Sequence, residues 1–388
     1  MYAFSHVGEI QMGFADPFKK IPCPFCNKEF SPGECPIVSG ITGTVLYTPP
    51  TGKVWSKMRS RVWVRPPSSY KGELATLRCP YCSSDLPSNI TEVDESTTIA
   101  IIGDVYSGKS HYITSLIYQL KKLQIPNKYF HVIAASQEIE KQYRTNYRDL
   151  FDLQQPLEQN KEAAVLGDPI NHPLIYQITV GEDPDAMKRF NILIYDASGE
   201  DLAKQVSLVR DQPSILNAQA IIFLADPWAM PRFVDDLSHH LRPTVQLARA
   251  PYEFLSWIVQ TFRAVRPELA QEFIFSLPTA IVIPKADLIE YHTLLGQEQE
   301  YERLWRPDYA GVYNNDGQEV DLLVRKLLNS LDEGALLNTS QGFRDLRFFA
   351  ISATGSAPDD QNKYSRGVKP LRCLDPLLWI LKALDKMD

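Results

Sequence analysis

The chain has 388 residues, 44% of them apolar, and a formal net charge of −7. That length supports a large core plus a smaller module, and the acidic balance argues against indiscriminate binding to nucleic acid. Nothing approaches the roughly 18–20 apolar residues that span a bilayer, and residues 1–6 lack the basic-then-apolar order of a leader, so a cytoplasmic chain without a membrane span is expected.

In chain order, residues 1–19 read as an N-terminal segment, 20–90 as a small β-rich module and 91–388 as an α/β domain, with Ser88–Glu92 as the linker. The module is framed by two near-identical knuckles, Cys23-Pro24-Phe25-Cys26 and Cys79-Pro80-Tyr81-Cys82. Each places two thiolates on a tight turn at the spacing of one face of a tetrahedral zinc site. A structural Zn2+ on Cys23, Cys26, Cys79 and Cys82 is therefore expected, in a zinc ribbon with a long inserted hairpin. Strands are predicted over Gly43–Tyr47, Val54–Met58 and Arg61–Val64. Cys35 reads as a bystander and Cys373 as a core residue. Along the hairpin Tyr47, Trp55, Lys57, Arg59, Arg61, Trp63 and Arg65 alternate aromatic and basic groups. Packing on the zinc core explains most of that pattern; as a surface it suits a protein partner ahead of a nucleic acid.

From Thr97 onward β-branched strands alternate with amphipathic helices, the pattern of a mainly parallel sheet flanked by helices. Strands are predicted over Thr98–Gly103, Tyr129–Ala135, Leu174–Val180, Phe190–Asp196, Ala220–Ala225, Thr279–Pro284 and Arg347–Ser352. Helices are predicted over Ser110–Lys122, Gln137–Phe151, Val234–Val265, Asp321–Asn329 and Asp375–Lys386.

The first strand runs into Gly103-Asp104-Val105-Tyr106-Ser107-Gly108-Lys109-Ser110, a G-x-x-x-x-G-K-S phosphate loop in its strand–loop–helix setting. The glycines let several backbone N–H groups face one anion, and the helix adds its positive end. Lys109 can reach the β- and γ-phosphates and Ser110 can ligate Mg2+; residues Gly103 to His111 are expected to line a nucleotide. The fourth strand ends in Asp196-Ala197-Ser198-Gly199, which puts a carboxylate where Mg2+ is held through water and a glycine N–H near the γ-phosphate. The sixth ends in Pro284-Lys285-Ala286-Asp287: the carboxylate can accept the two N–H groups of a guanine edge, and the lysine stem can lie over the base. The last ends in Ser352-Ala353, whose amides can cap the base oxygen.

In this order the four elements GDVYSGKS, DASG, PKAD and SA resemble the translation-factor-related (TRAFAC-class) GTPases of Ras-like fold. Within that class the nearest resemblance is to the bacterial double-GTPase type, found in multi-gene conflict or defence systems. The resemblance covers about residues 96–388, with insertions at Leu150–His172, Pro227–Pro278 and Glu290–Gly342. It implies a Ras-like P-loop domain that binds GTP and GDP with Mg2+, hydrolyses GTP, and signals its state to a protein partner through the ribbon or the insertions. Lys109 would act in catalysis, and so would Glu200, which stands where small GTPases place a water-orienting glutamine. Pro284 stands where members have asparagine. The one threonine between 123 and 172, Thr145, falls in a predicted helix, so the switch threonine that binds Mg2+ is not identified. These departures leave open an NTPase of loose base choice and a nucleotide-bound scaffold with little turnover. Arg210, Arg366 and Arg372 are candidates for a transition-state arginine.

Overall fold

The computed structural model describes residues 20–49, 69–157, 173–196, 218–242, 249–306 and 316–387, less positions 27, 41, 71, 72, 88, 92, 94, 105, 184, 185, 266–269, 272 and 273. The chain divides into two compact units, residues 1–93 and 94–388.

In the first unit Ile21–Pro22 pairs antiparallel with Glu29–Phe30. A second sheet takes the order Val45–Tyr47, Ile37–Ser39, Glu73–Leu77, Ser69–Tyr70, antiparallel throughout. Its apolar cluster is small: Ile21, Phe30, Ile37, Leu77, Leu86 and Ile90 pack around buried Cys23, Cys35 and Cys79. The cluster formed by the described residues of this unit is by itself a marginal core without a further staple. The expected strands Val54–Met58 and Arg61–Val64, with the aromatic and basic residues Trp55 to Arg65, lie outside the described residues.

The second unit is built on seven strands: β1 Glu95–Gly103, β2 Tyr129–Ala134, β3 Leu174–Gly181, β4 Lys188–Asp196, β5 Ala220–Leu224, β6 Thr279–Ile283 and β7 Leu346–Ala350. They lie in the order β7-β6-β5-β1-β4-β3-β2. β4, β1, β5, β6 and β7 run parallel to one another, whereas β3 is antiparallel to β4 and β2 to β3. The short connection between β3 and β4 leaves no room for a crossover, so that pair must form a hairpin. Every residue of β5 and β6 is buried, as strands covered on both faces require.

One face of the sheet packs against α1 (Lys109–Lys122) and α6 (Asp375–Ala383). The opposite face packs against α3 (Pro251–Val265), α4 (Gly317–Ser330) and α5 (Gly334–Ser340). In α1, Tyr112, Ile113, Leu116, Ile117 and Leu120 form the buried stripe. The helix expected over Val234–Val265 is not continuous. A short helix spans Pro231–Asp235, a 3-10 turn His239–Leu241, and α3 starts only at Pro251. Proline cannot continue a helix from its N-terminal side but suits a first turn. The helix after β2, α2 (Gln137–Tyr147), passes into a π-turn at Arg148–Asp152, and α6 stops at Ala383 rather than Lys386. Among the described residues no helix is long and apolar enough to cross a membrane.

Because five strands share one direction, the loops that leave β1, β4, β5, β6 and β7 emerge at one edge of the sheet. β1 sits where the chain order reverses, with β4 on one side and β5 on the other. Such a switch point is where open α/β sheets take their ligands.

Candidate functional site

Gly103 ends β1, and a Cβ there would stand 2.6 Å from Ser107 Oγ and 2.9 Å from Leu224 Cβ. The loop therefore folds back on itself and onto β5 at a point only glycine fits. Gly108, with φ +85°, turns the chain into the first turn of α1. Lys109 is buried, and its ammonium donates to the carbonyls of Gly103 (2.7 Å) and Asp104 (3.1 Å). Its charge thus lies across the loop it belongs to. Ser107 is fully buried and Tyr106 exposed, with Tyr106 in the left-handed region. Ser110 stands in the first turn of α1. Asp196 is the last residue of β4, in register with Ile101 of β1. Val105, Gly199 and Glu200 lie outside the described residues.

Lys285 follows β6 in left-handed backbone. Its ammonium donates to the Tyr106 carbonyl of the phosphate loop (3.0 Å) and to Asp226 Oδ2 (2.6 Å), and it lies 3.8 Å from the centre of the Trp228 ring. Burial lowers the Lys285 pKa, opposed by Asp226 and Asp287. Asp287 is only 6% exposed. Burial raises its pKa against the hydrogen bonds from Ser352 and from its own backbone and the nearby charge of Lys285. Ser352 is held in turn: its Oγ accepts from Gly355 N at 2.7 Å, and Cys373 Sγ donates to its carbonyl at 3.3 Å. Ser115 Oγ in α1 donates to Ala353 O at 2.7 Å, so α1 carries the last loop as well as the first. The described loop residues from Gly103 to Ser110, with Lys285, Asp287, Ser352 and Ala353, therefore gather at one edge.

Asp226 and Trp228 belong to the same cluster but carry no motif in the sequence. The only signal is a carboxylate at the tip of the apolar strand Ala220–Ala225, followed by Pro227 and Trp228. Of the arginine candidates, Arg372 has a side chain only 2% exposed and bound to Asp316 and Asp375, and Arg366 donates to the Tyr291 hydroxyl at 3.2 Å. Arg372 is thereby part of a buried ionic network. Arg210 lies outside the described residues. Thr145 sits in α2 and donates to Lys141 O at 3.1 Å, which ties its hydroxyl to its own helix.

His111 accepts the Leu157 N–H at Nε2 (3.1 Å), which requires an unprotonated nitrogen there. Burial, with the charge of Lys285, lowers its pKa from 6.5 to about 4. The unfolded chain then binds the proton more tightly, so this contribution is present above about pH 6.5 and lost as pH falls toward about 4. Urea unfolding across that window is expected to show a steeper loss of stability in wild type than in His111→Gln. Parallel pH profiles would count against the Leu157 bond.

In the first unit the sulfurs of Cys23, Cys26, Cys79 and Cys82 lie within 4.8 Å of one another. Cys23 Sγ is 3.7 Å from Cys82 Sγ, and Cys26 Sγ is 3.8 Å from Cys79 Sγ. These are not disulfide distances. Four sulfurs about 2.3 Å from a tetrahedral ion stand about 3.8 Å apart, so the donor set fits Zn2+. The Phe25 and Tyr81 N–H groups donate to Cys23 and Cys79 Sγ, each at 3.4 Å, giving both knuckles the same turn. Cys35 Sγ instead faces Ser31 O at 3.8 Å.

The chain is similar to several known proteins. A protein of Mycolicibacterium smegmatis assigned to ESX-1 scaffolding and assembly, SaeC, is 26% identical over 321 residues, 78% of each chain. Two structures of the Saccharomyces cerevisiae Ski7 GTPase-like domain, one with GTP and one with GDP and inorganic phosphate, align at 13% identity, with TM-scores of 0.33 and 0.32. Each covers 76% of this chain, which spans about half the Ski7 chain (51%). The sequence model of the Double-GTPase 2 family matches residues 97–366, most of the α/β unit and more than half of the protein, and the chain belongs to that family.

Proposed function

We propose that this protein binds GTP and GDP at the edge of the sheet above β1 and works as a nucleotide-dependent switch within a multi-protein assembly. The observation that carries the reading is the bond from Lys285 to the Tyr106 carbonyl beside a buried Asp287. It joins the base-reading segment to the phosphate loop, so base and phosphates would be held by one connected set of groups. Backbone N–H groups of the loop and the first turn of α1, with Lys109, would hold the phosphates. Ser110, and Asp196 through water, would hold Mg2+, which supplies charge neutralisation at the β- and γ-phosphates. Asp287 would accept the guanine edge, Lys285 would pack on the base, and Ser352 and Ala353 would line it. Gly199 would sense the γ-phosphate, and Glu200 would polarise water for hydrolysis to GDP and phosphate. The four cysteines would hold a structural zinc in a ribbon module. A protein partner reading the ribbon or the insertions agrees with the scaffolding assignment of the mycobacterial relative.

Base choice tests this reading. Binding of fluorescent GTP and ATP analogues with Mg2+ is expected to favour GTP, and Asp287→Asn to abolish that preference, because the amide cannot accept both guanine N–H groups. Equal binding of both nucleotides, unmoved by the variant, would make Pro284–Asp287 a turn and the protein a general NTPase.

The second reading, a nucleotide-bound scaffold with little turnover, draws on the commitment of Thr145 to its own helix and of Arg372 to two aspartates. Single-turnover hydrolysis of prebound GTP separates the two. A bound nucleotide that stays GTP over hours supports the scaffold, and phosphate release within minutes supports the switch.

A further inference from the structure

We infer that Asp226 is a positioning residue of the nucleotide site, one that acts by holding the Lys285 ammonium and so sets how long a nucleotide stays bound. The inference rests on the guanine-nucleotide reading and extends it to a residue that none of the four sequence motifs contains.

The carboxylate is 4% exposed and divides its oxygens between two tasks. Oδ1 accepts the Trp228 N–H at 3.1 Å and caps the 3-10 turn Pro227–Ala229, which fixes the backbone that carries Trp228. Oδ2 accepts from Lys285 at 2.6 Å. The same ammonium lies over the Trp228 ring and donates to the Tyr106 carbonyl. Three loops, leaving β1, β5 and β6, thus converge on one charge, and Asp226 is its acidic partner.

This matters because Pro284 precedes the lysine. Proline has no N–H and no polar side chain, so position 284 offers no polar side-chain tie between the base-reading segment and the phosphate loop. The bond from Lys285 to Tyr106 O provides that tie, and it depends on where the ammonium is held. A lysine stem has four rotatable carbons; the Asp226 carboxylate, the Trp228 ring and a carbonyl on the loop fix its end. Burial opposes the lysine charge, and Asp226 offsets that cost.

The test measures release of fluorescent GDP, GTP and ADP from the full-length protein with Mg2+, after addition of excess unlabelled nucleotide. It uses wild type, Asp226→Asn, Lys285→Met and the double variant. Asp226→Asn is expected to speed release of guanine nucleotides roughly ten- to a hundredfold. In the Lys285→Met background the same change is expected to add less than about twofold, because its effect passes through the lysine. Release at the wild-type rate, or an equal acceleration in both backgrounds, would overturn the inference, the latter by showing a general packing effect. If wild type releases ADP and GDP alike while Asp226→Asn still accelerates both, the guanine reading fails and the role of Asp226 stands. A wild-type protein that retains no nucleotide would sink both. If the asparagine variant does not fold, Asp226→Glu, which keeps the charge on a longer arm, should release at an intermediate rate; an unchanged rate again counts against the inference.

Discussion

Lys109→Ala is expected to lower affinity for GTP and GDP alike by roughly a hundredfold or more. The ammonium lies 2.7 Å from Gly103 O and 3.1 Å from Asp104 O, inside the loop rather than in solvent. Its work is therefore done where water is scarce and a charge interaction is strong. Alanine keeps the helix, for which it is the best residue, and takes away only the cation. Two carbonyls then lose a donor, which costs about 1–3 kcal/mol of stability at most. If the loop holds a nucleotide as proposed, the effect on binding is larger than that, because the phosphates would carry the charge the lysine answers. Equilibrium titration with fluorescent GTP and GDP, beside a thermal melt of the nucleotide-free protein, separates the two effects. Affinity within about threefold of wild type would show that the loop binds no phosphate through Lys109. Lys109→Arg should not restore binding, since a planar guanidinium cannot take the place of a compact ammonium in so closed a loop.

Much of this architecture is legible in the sequence, for identifiable reasons. β5 and β6 read as strands because their apolar runs are short, buried on both faces and bounded by Asp226-Pro227 and Pro284-Lys285. The phosphate loop reads because Gly103 and Gly108 each stand where a side chain would clash or strain. The direction of β2 and β3 does not read, because pairing sense follows from the connections and a strand's pattern is the same either way. The helix expected from Val234 fails for a different reason: its apolar spacing persists up to and past Pro251, but the structure has one short helix ending at Asp235 and a new one opening on Pro251. Asp226 is invisible for a third. A single aspartate after a strand is a common turn residue, and only the fold brings Lys285, 59 positions later, within 2.6 Å. The stretch from Ala197 to Asn217, which contains Gly199, Glu200 and Arg210, lies outside the described residues, so those roles rest on sequence order alone.

Cys79→Ser is expected to release the metal and unfold the N-terminal unit. Among the described residues, the apolar cluster there is a handful of side chains, including Phe30, Ile37, Leu77 and Leu86. A cluster of that size offsets little of the conformational entropy of the surrounding chain, which costs roughly 1–2 kcal/mol per residue for the backbone alone. A four-thiolate zinc site supplies about 10–16 kcal/mol of apparent binding energy, enough to decide whether such a unit folds. The four sulfurs already stand 3.7 and 3.8 Å apart across the two knuckles, so binding would ask little rearrangement of them. Cys79 is the informative choice because it is buried within the cluster and its sulfur receives the Tyr81 N–H. Metal content by atomic absorption should be about one zinc per chain in wild type and near zero in the variant. Limited proteolysis should then cut within residues 20–49 and 73–87 of the variant and of chelator-treated wild type, but not within those segments of the untreated protein. Cys35→Ser is the control, since that thiol faces Ser31 O rather than the other sulfurs, and it should keep its zinc. Loss of metal in Cys35→Ser with retention in Cys79→Ser would mean that the ligands are other cysteines than the two knuckles. A wild-type protein without zinc, yet resistant to protease, would mean that the small core suffices.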